Sequence, residues 1–290
     1  MSRRQNLVRH RESLMEIREI MNSMKTLAYM ETRKLAPYLD TQSAAVETIE
    51  QVAADFLTFY PEAVTTAQPV ASLLILVGSE RGFCGDFNRA LFNSLDAKAD
   101  EIAQQSDAGP EFIIAVGAKM HVLLEDDPRM TAHVDGAGTS EEITTVLNSL
   151  VEQIIMLERQ HGPLRISCRY QAGGDAPVTR TLLPPFRDLD AIGSPLSMPP
   201  VLNIEPAQFF LELSDQYLFA ALHAILDTSM MTENNDRVRH LDGAVRHIDD
   251  QAEELARQSN ALRQEEIVEE IEVILLSAES VTEELARDKH

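Results

Sequence analysis

Apolar residues near the start of the chain recur in alternating steps of three and four. They run Leu14, Ile17, Met21, Met24 and Ala28, then Leu35 and Tyr38, then Ala45, Ile49, Val52 and Phe56, with Glu31 and Gln42 at two skipped positions. A sustained 3.5-residue period is that of a helix in a left-handed supercoil. The pattern predicts one long helix over 7–58, roughly 75 Å at 1.5 Å per residue. Pro37 should kink or break it, because proline lacks the amide donor and its ring crowds the preceding turn. A second such pattern closes the chain. After Pro206, well placed in a first helical turn, Tyr217, Ala221, Leu222, Ile225 and Leu226 share a face. The series Val238, Leu241, Val245, Ile248, Ala252, Leu255, Ser259, Leu262 follows; a step of five leads to Ile267, then Ile271, Ile274, Ala278, Val281 and Leu285. No proline interrupts this stretch and Gly243 is its one weak point. The helix it predicts reaches roughly 120 Å.

Between the two the pattern changes. Ala71–Val77 and Glu111–Val116 are short apolar runs that stop at Gly78 and Gly117, as buried strands do. Leu164–Tyr170 alternates, and Val178–Leu183 ends at two prolines; both predict strands. Helices are expected over 87–105 and 140–159, the second opened by Thr139 and Ser140, with Glu141 and Glu142 suiting its positive end. Val122–Leu124 starts a further short element. Strands alternating with helices define a small α/β domain over 70–190, and 187–203 reads as a linker. The fold class is therefore α/β with a coiled coil: an N-terminal helix (1–60), the inserted domain (70–190) and a C-terminal helix (206–290). Two seams at opposite ends of one chain meet only antiparallel, with the insert as the hinge.

Composition fits this plan. Aromatic residues make up 5 %, with no Trp and 11 Met, which favours helices over sandwiches or barrels. No apolar run is long enough to span a membrane and no signal core follows the basic start. The formal charge of -22 argues against a nucleic-acid partner. That charge is uneven: residues 1–36 hold eight Arg or Lys against four Glu, whereas 241–290 hold fourteen Asp or Glu against five Arg or Lys. The two ends should attract, although exposed pairs contribute little and the apolar seam must supply most of the stability.

Candidate chemistry is sparse. The one glycine-rich loop after a strand, Gly78-Ser-Glu-Arg-Gly-Phe-Cys-Gly85, has neither the phosphate-loop spacing with its Lys-Ser/Thr nor the dinucleotide spacing, and Asp86 opposes a phosphate. It reads as a tight strand-to-helix turn. His240 and His247 lie seven apart, about 10 Å along a helix, too far for one metal ion. Cys84 beside Arg81 reads as a packed turn cysteine, and Cys84 with Cys168 makes no disulfide framework. No catalytic, cofactor or metal residue is assigned. An α/β enzyme with helical decorations is the first alternative, and it lacks a ligand loop. A coiled-coil scaffold is the second, and it leaves the loop unexplained.

Three segments, in order along nearly the whole chain, resemble the gamma subunit of F-type ATP synthases. The first is Ile17-Arg-Glu-Ile20-Met-Asn-Ser-Met24-Lys-Thr-Leu27-Ala28, followed by Arg33-Lys34. The second, and most specific, is Ser79-Glu-Arg-Gly-Phe-Cys-Gly-Asp-Phe-Asn88. The third is Glu233-Asn-Asn-Asp-Arg237 with Leu262-Arg-Gln264 to Ile271. The resemblance implies a rotating, non-catalytic central-stalk subunit. Its partners would be the alpha and beta subunits of a catalytic hexamer, the epsilon subunit and a membrane ring of c subunits. Its place would be the cytoplasmic face of the bacterial inner membrane. It also implies hexamer contacts at Met24, Lys25, Arg237 and Gln264, and a signature turn carried by Arg81, Gly82, Cys84 and Gly85. Departures at Glu31, Asp86 and Val268, the acidic last helix and roughly ten extra C-terminal residues mark a divergent member.

Overall fold

The computed structural model describes residues 3–64, 68–103, 111–174, 176–186 and 198–287. Helix α1 spans Arg3–Phe59 and α5 spans Pro206–Arg287. Between them come β1 (Ala71–Val77), α2 (Phe87–Ala103), β2 (Glu111–Val116), α3 (Ala118–Leu124), β3 (Met130–Val134), α4 (Ile143–His161), β4 (Leu164–Tyr170) and β5 (Val178–Leu183). The expected linker lies outside the described residues as far as 197, and 198–205 are non-helical. These elements form two compact units. One holds Leu27–His240; the other holds the two ends of the chain, up to Thr26 and from Leu241.

In the larger unit the sheet runs β3-β2-β1-β4-β5, parallel except for the antiparallel edge pair β4–β5. Helices cover both faces, and this is why β1 and β2 are apolar throughout rather than alternating. Leu73, Ile75 and Val77 of β1 face a core shared with α4, with Leu35 and Val46 of α1 and with Tyr217–Met230 of α5. Leu74 and Leu76, at the other parity, face Phe87, Leu91 and Leu95 of α2 and Met120 and Leu124 of α3. A smaller cluster joins Phe56, Ala63 and Phe210.

Four local expectations change. Pro37 does not break α1, which continues unbroken to Phe59. One missing amide bond is outweighed by the burial of Leu35 and Val46 on either side, at 2 % and 3 % exposure. The buried stripe then advances eleven residues from Leu35 to Val46, so Val46 and Ala53 are buried in place of Ala45 and Val52. Eleven residues over three turns is the repeat of a straight or slightly right-handed helix lying on a domain. The residues Val122–Leu124 are the end of helix α3, and β3 is an unpredicted edge strand. A short 3-10 turn, Ser140–Glu142, precedes α4, and Thr139 makes no side-chain cap. Instead Glu31 Oε2 accepts from Ser140 N at 3.0 Å and Glu142 Oε2 from Gly138 N at 2.6 Å. Glu31, one of the departures from the family pattern, thus holds the start of α4 against α1.

In the smaller unit the helices pair antiparallel. Arg4 meets Glu266, Arg18 meets Asp249 at 2.6 Å and Lys25 meets Asp242 at 3.1 Å, rising along one helix as they fall along the other. Leu241, Val245, Ile248 and Ala252 form the buried seam, with Leu255, Ser259 and Leu262 half-buried behind them. Basic residues of the first helix meet acidic ones of the last, as the charge asymmetry predicts.

Candidate functional site

The signature turn connects β1 to α2 and is built from inside. Ser79 is fully buried: its amide donates to Asn88 Oδ1 at 2.9 Å, its hydroxyl donates to Arg81 O at 2.9 Å, and Asn88 Nδ2 donates to Ser79 Oγ at 2.7 Å. The Glu80 carboxylate accepts from Ala118 N at 3.0 Å and Gly136 N at 2.8 Å, which ties the turn to the ends of β2 and β3. Phe83 and Gly85 have positive φ, 64° and 62°. Cys84 is buried, its Sγ 3.4 Å from Ser79 Oγ. Burial raises the thiol pKa, so this cysteine is a packed residue and no nucleophile. Gly82 is half-exposed and Arg81 is exposed.

Arg237 closes the turn from α5. It is only 6 % exposed. Its Nε donates to Gly82 O at 3.0 Å, Nη2 to Arg81 O at 3.0 Å and Nη1 to Asn234 Oδ1 at 2.9 Å, while Nη2 also meets the Glu233 carboxylate. The planar fork suits two carbonyls, a carboxamide and a carboxylate at once. Burial raises the pKa of Glu233, against the pull of Arg237. The sequence places Arg237 at the flank of an apolar seam; in the fold it is an interior residue engaged with the turn. Sequence reading thus separates Arg237 from Arg81, Gly82, Cys84 and Gly85, and the fold joins them. Of the five supporting residues, Ser79, Glu80 and Asn88 stand inside the quoted motif and Glu233 and Asn234 open the third quoted segment, so the signal for them was adjacency alone.

The other named residues belong to the helix pair. Met24 and Lys25 are half-buried, Lys25 through its contact with Asp242, and Gln264 is exposed. Beyond Glu266 the side chains of Ile267, Val268, Ile271, Val273, Leu275 and Leu276 are 46–66 % exposed. Among the described residues no group of His, Cys, Asp or Glu is arranged to hold a metal ion. A cleft of about 380 Å³ beside the turn is lined by Gly85, Phe87, Gln171, Gly173, Thr232 and Arg239, among others, and carries no recognisable phosphate cradle.

Two continuous helices, paired at the chain's ends and bracketing a five-stranded domain in sequence, are the plan of a shaft-type subunit, whose chemistry is mechanical. The profile of the ATP synthase family matches residues 4–281, so the chain belongs to that family, as a gamma subunit of the F-type central stalk. It is 23 % identical over 276 residues to an ATP synthase gamma chain of Clostridium botulinum, covering 93 % of this chain and 95 % of that one. A gamma chain of Granulibacter bethesdensis is 23 % identical over 291 residues, covering 93 % and 96 %. Among solved structures the fold is similar to a chain of the Euglena gracilis mitochondrial ATP synthase, OSCP/F1/c-ring (TM-score 0.60, 15 % identity, 96 % of this chain and 94 % of that one). It is also similar to one in the central stalk and c-ring of the Tetrahymena thermophila mitochondrial enzyme (TM-score 0.54, 15 % identity, 78 % and 99 %).

Proposed function

We propose that this gamma subunit is the rotor shaft between a membrane ring of c subunits and a catalytic hexamer of alternating alpha and beta subunits, with epsilon bound at its foot, on the cytoplasmic face of a bacterial inner membrane. The observation that carries the reading is the antiparallel helix pair within a chain whose family match runs from residue 4 to 281. ATP chemistry lies with beta. The shaft presents a different face to each of three beta subunits, so turning it changes the relative stability of their open and closed states, and that differential contact is the coupling. A shaft also has to resist twisting, and the buried Leu241–Ala252 seam supplies that resistance. No helix among the described residues is long and apolar enough to cross a membrane, which agrees with a subunit that meets the membrane through the ring.

In this reading Met24, Lys25 and Gln264 are direct contacts to the hexamer. Arg237 acts through the turn it holds, Arg81, Gly82, Cys84 and Gly85. The test is reconstitution with the alpha, beta, epsilon and membrane subunits of the same enzyme, reading ions pumped per ATP hydrolysed. The wild-type chain should restore coupled pumping. Gln264→Ala should lower the pumping ratio several-fold without loss of assembly, as a lost polar contact of about 0.5–1.5 kcal/mol would. Equal coupled pumping in assemblies that lack this chain would refute the rotor role; unchanged pumping in Gln264→Ala would remove that residue from the contact set.

A further inference from the structure

The sheet order puts a topological switch point between β1 and β4. In open α/β sheets a crevice opens there, past the carboxyl ends of the strands, and ligands occupy it. Here that crevice is the open cleft beside the turn, with Gly85 and Phe87 past β1, Gln171 and Gly173 past β4, and Thr232, Asp236 and Arg239 of α5 as a further wall. The same helix grips the end of β1 from its other side. At the end of β1, Ser229 Oγ of α5 donates to Val77 O at 3.5 Å. One turn on, Glu233 lines a residual cavity of only about 20 Å³ with Gly78, Ser229 and Met230. One turn further, Arg237 takes the carbonyls of Arg81 and Gly82. Three successive turns of α5 therefore grip the end of β1 and the turn that follows it.

The turn they grip is not a relaxed one. Phe83 adopts φ 64°, which an L-residue holds only where its surroundings insist. The guanidinium that insists is itself buried, and a buried cation needs its charge met. Glu233 and Asn234 meet it from the preceding turn of the same helix. Glu233 is thus a positioning residue: its ion pair is with Arg237, and it fixes the group that holds the turn.

We propose that Arg237, set by Glu233, is a lock that makes the 79–85 turn a rigid extension of α5, so that twist carried by α5 reaches the turn without slack. The lock is a property of the chain alone; its mechanical consequence rests on the rotor reading. A merely structural ion pair would lower the stability of the whole domain, whereas a lock holds one turn.

The chain carries its own reporters. Its two cysteines are Cys84, in the turn, and Cys168, fully buried in β4. Thiol labelling of the full-length protein, resolved by peptide mass, reads local opening at Cys84 and global unfolding at Cys168. Arg237→Lys keeps the charge and loses the fork; Glu233→Gln keeps the shape and loses the charge. Both should label Cys84 roughly ten- to a hundredfold faster than wild type, as loss of a charge-assisted bond implies, with Cys168 unchanged, and Glu233→Asp should return Cys84 towards the wild-type rate. Unchanged Cys84 labelling in both variants, or Cys84 and Cys168 rising in step, would overturn the lock. In the assembled ATPase the same two variants should pump fewer ions per ATP. Full coupling alongside fast Cys84 labelling would overturn its mechanical role. Failure of the wild-type chain to couple at all would sink the rotor reading instead, and leave the lock standing on its labelling.

Discussion

At the scale of single residues the fold depends on a few close approaches. A Cβ at Gly117 would lie 2.7 Å from Ser79 C and O, at a φ of +90°, and one at Gly78 would lie 2.5 Å from Met120 Cβ. Backbone cannot retreat as a flexible side chain can, so Gly117→Ala is expected to cost about 2–4 kcal/mol in denaturant unfolding; a loss below about 0.5 kcal/mol would contradict the packing. His223 gives a pH signature. Its Nδ1 lies 3.0 Å from Asp227 Oδ2, and this hydrogen bond, against the pull of burial, raises the imidazole pKa. A group raised in the folded state contributes stability that is fully present below its unfolded value, near 6.5, and is lost as pH rises through the folded value. Wild type should therefore exceed His223→Gln by a few degrees in Tm at pH 6. That margin should shrink towards pH 9, and a margin that grows instead would reverse the assignment. Arg169 shows how little of this could be seen beforehand. It reads as one polar position of an alternating strand, yet it is 2 % exposed and spends its guanidinium on Ser94 O and Thr179 Oγ1.

At the scale of elements, ion pairs align the two helices and the seam holds them. Asp242 accepts from Lys25 and meets Arg246, and the bond from Lys25 is the largest cause of its lowered pKa. A depressed carboxylate contributes stability that is present above its unfolded value and is lost as pH falls through the lower folded one. The difference in helix melting between wild type and Asp242→Asn, with the wild type the more stable, should thus be present in full at pH 7 and shrink as pH falls below the ordinary carboxylate value of 3.8. Circular dichroism down the acid limb decides the point, and a difference that grows as pH falls would remove Lys25 and Arg246 as its cause. High salt should reduce the same difference, because the pair is only partly shielded from solvent. The eleven-residue advance after Leu35 belongs to this scale too. Seven-residue spacing persists on either side of it, from Ala28 to Leu35 and from Val46 to Ala53, so the advance is one offset of the buried stripe where α1 lies on the α/β domain; in the helix pair the expected seam residue Ile17 is 44 % exposed.

At the scale of the whole molecule, the family match ends at residue 281, and the chain continues for nine residues. Deleting 281–290 should leave assembly with alpha and beta subunits intact, read by co-purification. Loss of the complex would show that the acidic extension is a structural part of the shaft. The exposed apolar residues from Ile267 to Leu276 precede it and lie past the point where Arg4 meets Glu266. Under the rotor reading they belong inside the hexamer, whose lining must then be neutral, basic or well hydrated to accept Glu265, Glu266, Glu269, Glu270 and Glu272.

The sequence by itself determined the two long helices, four of the five strands, the antiparallel charge match and the family, because each is written in a local period, a turn signal or a contiguous motif. It left β3 unseen, since Met130–Val134 is an edge strand with one fully buried residue and no clear alternation. Only the tertiary structure decided that α5 grips the end of β1 and that Arg237 faces inward to hold Arg81 and Gly82. Those partners are 155 residues or more apart in the chain. No local period encodes a contact at that distance; it exists because the fold brings the end of β1 under α5, and the buried guanidinium of Arg237 requires acceptors there.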